Sequence, residues 1–373
     1  MKRIAVISLY YNNYNYGGLL QAYALCKTII NLGYECEQIS YDRDEGEINL
    51  KAYLMTKVKH PVKFLVFGNW YKNYCLGKKL LKNFELSIPH TKVVTSQNIH
   101  NLNQDFDGFI CGSDQIWNPS FGWKDSHFLL FADNTKKKIA YAASIAHSQL
   151  SEEEVAYVLK MTKGFDALSL REAESITAIK KYDESFMAEV MPDPTLLLTA
   201  NEWDTITGNR KINEPYIFAY FLGNNIYQRE NAIKYAKTVH KKIVFIYSLL
   251  PENRNWEMQR KDYFIPKVSV NDFLSLIKYA DVVLTDSFHG SVFSCVFDTP
   301  FVTFSRSKND SRESMNSRIT TLMNILGLNR NLDSIEDGKD CTFTLNEIES
   351  IKNGLEKQRS RGLRFLSQAL ANI

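Results

Sequence analysis

The sequence predicts an α/β protein built from two Rossmann-like domains that face each other across a cleft. Three observations predict it. Short apolar runs of strand length alternate with helical patterns, the order that builds parallel sheets with helices on their faces. That alternation runs twice, and Pro192 and Pro194 interrupt it between the two series. A chain of 373 residues is long for one domain and comfortable for two. The expected division is 1–195 for the first domain, 196–340 for the second, and 341–373 for a terminal helix that packs back across both.

The first series opens on Ile4 to Leu9, a compact apolar run suited to a central parallel strand. A helical pattern covers Leu19 to Leu32, Gly33 stops it, and Cys36 to Tyr41 is the next strand. The loop of this β-loop-α-β unit carries Asn15, Gly17 and Gly18, whose backbone amides can face an anion or a sugar. It lacks the GxGxxG spacing of a dinucleotide site, and an ordinary tight turn is the alternative. From Lys51 to Phe84 a pair of helices is expected, with eight lysines, no acid, and Tyr53, Phe64, Phe67, Trp70, Tyr71 and Tyr74 interleaved. That stretch is either a solvated surface with lysine stems over rings, or a patch for anionic headgroups at the inner surface of a membrane.

Asp107 to Ile110 is the following strand, and it runs into Cys111-Gly-Ser-Asp-Gln-Ile-Trp. Polar groups there stand at the carboxyl edge of a sheet, where open α/β sheets bind ligands. Asp114 can take a proton from a hydroxyl, or serve as a turn residue or helix cap. Trp117 can stack on a sugar ring, or pack in the core. Lys138 to Ile145 and Ala167 to Leu170 are strands, with a helix between them capped at Ser151. Arg171 closes the second of these strands just before a helix. It is placed for a fork on phosphate or carboxylate, or for an ion pair with Glu172 or Glu174.

The second series has strands at Tyr216 to Leu222, Ile243 to Tyr247, Val282 to Leu284 and Phe301 to Phe304. Helices are expected over Ile226 to His240 and Val270 to Tyr279. After Leu284, Thr285-Asp-Ser-Phe-His-Gly reads as a tight loop into a buried helix from Ser291 to Phe297. The first amides of such a helix lack partners within it and carry partial positive charge, which suits an anion. Gly290 lets a ligand approach the backbone, and His289 stands where a phosphate or carboxylate would lie. A polar loop from Ser305 to Ser317 holds Arg306 and Arg312 and leads into a helix over Arg318 to Leu326. Its cations either face solvent or close over an anionic substrate. Leu345 to Leu370 is the last helix.

Composition excludes several classes. A net charge of +3 is too small to argue for a nucleic-acid partner. No apolar run approaches the ~20 residues of a membrane span. No signal-peptide pattern follows Met1, so a cytoplasmic location is expected. Six cysteines without CxxC spacing point to a reduced chain with neither disulfides nor a zinc site, and Cys111 and Cys295 read as core thiols.

Five stretches stand in the order found in one family: Asn15-Tyr-Gly-Gly, Gly112-Ser-Asp-Gln-Ile-Trp, Ser169-Leu-Arg-Glu-Ala-Glu-Ser, Asp193-Pro-Thr-Leu-Leu-Leu and Ser287-Phe-His-Gly. On them the chain, to about Leu328, resembles the polysaccharide pyruvyl transferase family. The resemblance implies a GT-B-like pair of domains. It also implies transfer of a pyruvyl group from phosphoenolpyruvate to a sugar of a surface polysaccharide, or of its lipid-linked precursor, as a ketal with release of phosphate. By the same resemblance Arg171 and His289 occupy positions tied to donor binding and catalysis.

Such chemistry must hold a phosphate, protonate a methylene carbon and deprotonate a sugar hydroxyl, and it calls for no metal or nucleotide cofactor. Arg171 and the helix start at Gly290 suit the phosphate, His289 the proton transfer and Asp114 the hydroxyl. Asn15, Gly17 and Trp117 are the expected acceptor side. Family members often carry an arginine two residues before this histidine, where the present chain has Ser287. Serine donates a hydrogen bond but no charge, so a further cation is expected. Arg318 is the first choice, with Arg312 and Arg306 in reserve. Two other readings share the architecture: a nucleotide-sugar-dependent glycosyltransferase, and a non-catalytic protein that binds a glycan or phosphosugar.

Overall fold

A computed structural model describes residues 1–43, 50–147, 149–248, 250–305, 316–328, 343–371 and 373; for 50–60, 251, 316 and 317 it describes the backbone only. Six short strands form the first sheet: β1 (Arg3–Ile7), β2 (Glu35–Gln38), β3 (Gly108–Cys111), β4 (Lys137–Ala143), β5 (Ala167–Leu170) and β6 (Glu189–Val190). All pairs are parallel, in the order β2-β1-β3-β4-β5-β6. Val6 of the central strand pairs with Gln38 on one side and Ile110 on the other, and Ile4 to Ile7 are fully buried. A strand covered on both faces needs that unbroken apolar run. Helices α1 (Tyr16–Asn31), α2 (Leu50–Glu85), α3 (Glu152–Thr162) and α4 (Ala173–Lys180) connect these strands.

After α5 (Ala200–Asp204) the second sheet uses β7 (Tyr216–Tyr220), β8 (Lys242–Ile246), β9 (Phe264–Ile265), β10 (Val282–Thr285) and β11 (Phe301–Thr303). It is also parallel, in the order β11-β10-β7-β8-β9. Its helices are α6 (Ile226–Thr238), α7 (Arg254–Gln259), α8 (Val270–Lys278), α9 (Phe288–Val296) and α10 (Asn316–Leu326), and α11 (Leu345–Leu370) ends the fold. This is the expected α/β architecture, with two parallel sheets flanked by helices.

The two sheets share one apolar interior. A single cluster runs from Leu20 and Leu25 of α1 through Phe218 of β7 and Phe273 of α8 to Leu366 of α11. Tyr16 stacks on Phe273 at 4.6 Å and donates its hydroxyl to the Val268 carbonyl at 3.0 Å. Smaller clusters stay within the first sheet and within the second. Helix α11 ties them together. Ser350 donates to the Leu326 carbonyl at 2.7 Å, and Tyr34 donates to the Leu370 carbonyl at 3.0 Å. Between these ends Gly362 lies where a Cβ would meet Leu197 and the Tyr141 hydroxyl at 2.5 Å, so only glycine lets the helix pass so close.

Two expected loops turn out shorter, for one reason. Helix α1 starts at Tyr16 rather than Leu19, because Asn15 caps it by accepting from the Gly18 N–H at 3.1 Å. Helix α9 starts at Phe288 rather than Ser291, because the Ser287 hydroxyl accepts from the Gly290 N–H at 3.3 Å. Both glycine pairings read as loop in sequence yet lie in a first turn. Helix α2 is two helices joined at Gly68, whose φ of 45° breaks the run. The two-residue strands β6 and β9 are too short for periodicity to reveal. Arg306 and Arg312 lie outside the described residues.

Candidate functional site

Arg171 leaves the end of β5 with its own N–H on the Ala143 carbonyl at 3.2 Å, and its side chain turns into the interior. Its Nη1 donates to Oδ2 of Asp193 at 2.7 Å and its Nε to Glu172 at 3.3 Å; Nη2 stands 3.7 Å from Asp114. Asp193 starts the 3-10 turn Pro194–Leu196, and its Oδ1 accepts from the Thr195 N–H at 3.0 Å and hydroxyl at 2.8 Å. Its Oδ2, already on Arg171, lies 3.6 Å from Nε2 of His289. One carboxylate thus joins an arginine of the first sheet to a histidine of the second.

Charge is held firmly here. Burial works to raise the Asp193 carboxyl, but His289, Arg171 and the Thr195 N–H hold it well below the usual carboxylate range. Burial also works against the Arg171 cation, and Glu172, Asp193 and Asp114 more than offset it. Arg171 is 5%, His289 7% and Asp193 1% exposed, so a ligand that touches them is closed off from water.

His289 lies in the first turn of α9, not in a loop, and its ring rests on α1: a Cβ at Gly17 would fall 2.0 Å from Nδ1. Beside it, the ring centroid of Phe288 is 5.0 Å from the Arg171 guanidinium and 6.0 Å from that of Arg318. Asp114 holds a left-handed turn at φ 53°. A Cβ at Gly18 would lie 3.7 Å from its Oδ2. Gly17, Asp114, Arg171, Ser287, His289 and Arg318 therefore gather around Asp193 and Phe288.

Several expected roles change. Arg171 offers no free fork, since Nη1 and Nε are taken by Asp193 and Glu172; the ion pair weighed as the alternative is what forms. Gly290 gives no open amide, because its N–H is on Ser287, and it is glycine because a Cβ would sit 2.6 Å from the Thr285 hydroxyl. The Asn15 side-chain oxygen is used in capping α1. Trp117 is fully buried, stacked on Phe128 at 4.9 Å with its N–H on the His127 carbonyl at 2.9 Å, so it is core and not a sugar platform. Asp193 has no site role legible in the sequence. Its signal was an aspartate ahead of Pro-Thr in one of the five family stretches, which says cap but not hub.

The profile of the family described as polysaccharide pyruvyl transferase matches residues 15–308, most of the chain and all of these groups except Arg318. The chain belongs to that family. Family membership makes it a transferase with a polysaccharide sugar as acceptor. No curated protein matches it by sequence. Among solved structures it is similar to the UDP-GlcNAc 2-epimerase of Neisseria meningitidis bound to UDP-GlcNAc, at 10% identity over 100% of both chains, with a TM-score of 0.52. It is also similar to S. aureus MnaA with UDP, at 13% identity over 99% of this chain and 91% of that one, TM-score 0.52. A third is Phytolacca americana UGT2 with UDP-2-fluoroglucose and pterostilbene, at 10% identity over 100% and 99%, TM-score 0.50. At such identities the likeness concerns the fold, which is GT-B-like. Among the described residues no helix is long and apolar enough to cross a membrane.

Proposed function

We propose that this family member moves a pyruvyl group from phosphoenolpyruvate onto two neighbouring hydroxyls of a polysaccharide sugar. The observation that carries the reading is the Asp193 oxygen shared between Arg171 and His289, with Asp114 alongside. A proton adds to the methylene carbon of the donor and leaves its neighbour cationic. A sugar oxygen bonds to that carbon, the carbon–oxygen bond to phosphate breaks with its electron pair on phosphate, and the second sugar oxygen closes the ketal. The two hydroxyl protons balance the one placed on carbon and the one that leaves with phosphate.

His289 is the group that moves the proton. Asp193, facing Nε2, orients the ring and stabilises it when charged. Asp114 takes the proton of the attacking hydroxyl. Arg171 faces three carboxylates and so brings little net charge to an incoming anion, which makes Arg318 the main donor cation. The acceptor side sits at the inner, cytoplasmic face of a membrane. In α2, Val62, Phe64, Leu65 and Val66 are exposed, Leu65 by 86%, in a segment whose charges are lysines. Pelleting with vesicles should require anionic lipid and fade with salt; equal pelleting with neutral vesicles removes this membrane contact.

The assay of the reaction is phosphate release from phosphoenolpyruvate in the presence of a glycan acceptor. Arg318→Ala should lower kcat/KM for the donor about tenfold to a hundredfold, the ~1.5–3 kcal/mol of one charge-assisted contact. His289→Ala should lower kcat at saturating donor. No phosphate release with any acceptor, together with calorimetric binding of UDP or GDP, would assign the chain to nucleotide-sugar transfer instead. Tight glycan binding without turnover of any donor would assign it to binding alone.

A further inference from the structure

A cavity opens on the Asn13 side of this site. It encloses about 560 Å³ between the loop after β1 and the segment after β2, at the carboxyl edge of the first sheet. That volume suits one or two sugar rings. Tyr11, Tyr14 and Tyr41 line it, with Arg43, Lys124 and His127. Tyrosine rings with an apolar body and a polar tip suit a sugar face. Behind them stand cations: Lys78 lies 4.5 Å over the ring of Tyr14, and Lys82 lies 4.5 Å over that of Tyr11. Asp42 is the one acid among the described residues of the lining, and Glu85 nearby is paired with Lys82 at 2.5 Å.

Two features mark the cavity as built for a ligand. Arg43 is anchored through Nη2 on the carbonyls of Phe121 (2.6 Å) and Gly122 (3.3 Å), and its Nε and Nη1 make no hydrogen bond among the described residues. His127 is only 2% exposed, and its Nδ1 has no hydrogen-bond partner among the described residues. Burial with Arg43 and Lys124 close by pushes its pKa down to about 3, so it stands there as a neutral imidazole beside two cations. The cavity also leads inward. Asn13 lines it, and a Cβ at Gly18 would lie 2.9 Å from the Asn13 amide and 3.7 Å from Oδ2 of Asp114. Gly18 therefore separates the Asn13 end of the cavity from the carboxylate assigned to deprotonate the acceptor.

We propose that this cavity binds the acceptor as a saccharide that bears phosphate. The tyrosines carry the ring, Arg43 and Lys124 hold the phosphate, and the Asn13 end directs free hydroxyls toward Asp114. The assignment rests on transfer to a sugar as argued above. The same chemistry is met in a soluble sugar phosphate and in a sugar held on a prenyl diphosphate.

Calorimetry without phosphoenolpyruvate tests it, using three probes: N-acetylglucosamine 1-phosphate, N-acetylglucosamine on a short prenyl diphosphate, and the neutral methyl glycoside. The phosphate-bearing probes should bind at least about tenfold tighter than the glycoside, as one charge-assisted contact implies. Arg43→Ala combined with Lys124→Ala should erase that preference, and Arg43→Lys should keep part of it. Tyr41→Ala should weaken all three, with thermal melts to confirm that each variant folds. Tighter binding of the prenyl probe identifies a lipid-borne acceptor, and equal binding a soluble one; both uphold the site. Equal affinity for the neutral glycoside, a preference that survives the double variant, or no binding of any probe overturns it. Phosphate release that continues unchanged in the double variant would sink this cavity and leave pyruvyl transfer standing. Binding that follows the variants with no phosphate release would do the reverse.

Discussion

Asp193→Asn tests the centre of the site most directly. Asparagine keeps an oxygen for the Thr195 N–H and hydroxyl and puts its NH2 where Oδ2 accepts from Arg171, so the charge and that one acceptor are removed. What is lost is the 2.7 Å pair with Arg171 and the carboxylate 3.6 Å from His289. Removing one partner of a buried pair costs about 3–5 kcal/mol, because the other charge stays buried. Arg171 keeps Glu172 at 3.3 Å and Asp114 at 3.7 Å, which places the loss near the lower end, about 3 kcal/mol. Urea unfolding should show it as a lower midpoint with an unchanged slope. Arg171→Ala and Asp193→Asn should be coupled by more than about 1 kcal/mol in a double-mutant cycle. Turnover should fall about a hundredfold, since His289 loses the group that orients it. A depressed carboxyl contributes stability above its unfolded pKa of about 4, and that contribution is lost as pH falls further. Wild type should therefore lose stability faster than the variant below about pH 4. A stability change under about 1 kcal/mol with unaltered turnover would refute the reasoning, because a buried pair cannot be broken so cheaply.

Three further outcomes are expected. Gly17→Ala puts a methyl 2.0 Å from the His289 ring, so phosphate release should drop about a hundredfold while the acceptor still binds; full activity would show that the ring is free to move. Trp117→Ala should cost about 3–5 kcal/mol in urea unfolding and leave the acceptor KM of the folded fraction unchanged, whereas a raised KM in a stable variant would return Trp117 to the acceptor side. His127, held at about 3 in the fold against ~6.5 when unfolded, binds its proton only on unfolding, so stability should fall by up to ~1.4 kcal/mol per unit as pH drops from about 6.5 toward 4. His127→Gln should flatten that slope, and an identical slope in the variant would place the titration elsewhere.

The class of the fold and most of its elements are legible in the chain itself. Ala167–Leu170 and Leu345–Leu370 have the bounds that the apolar pattern predicts, and Ser151 caps α3 as its acidic first turn implies. These are local properties: burial on both faces of a strand, or a cap three residues from its amide, is written in neighbouring positions. The five ordered stretches likewise carried the family. Tertiary structure alone decided what the groups do with one another. Asp193 lies in a turn between the two series, and nothing in its spacing tells that Arg171 and His289 reach it from opposite sheets. Gly17 is glycine because of a ring at position 289, and Gly290 because of Thr285. Trp117 follows a strand as a ligand residue would, yet Phe128 covers it. The cavity of Tyr11, Tyr41 and Arg43 exists only once β1 and β2 lie side by side with the segment around Lys124 across their ends. Charge pairing and close packing depend on distance in space, which a linear pattern does not contain until the sheets have closed around their shared core.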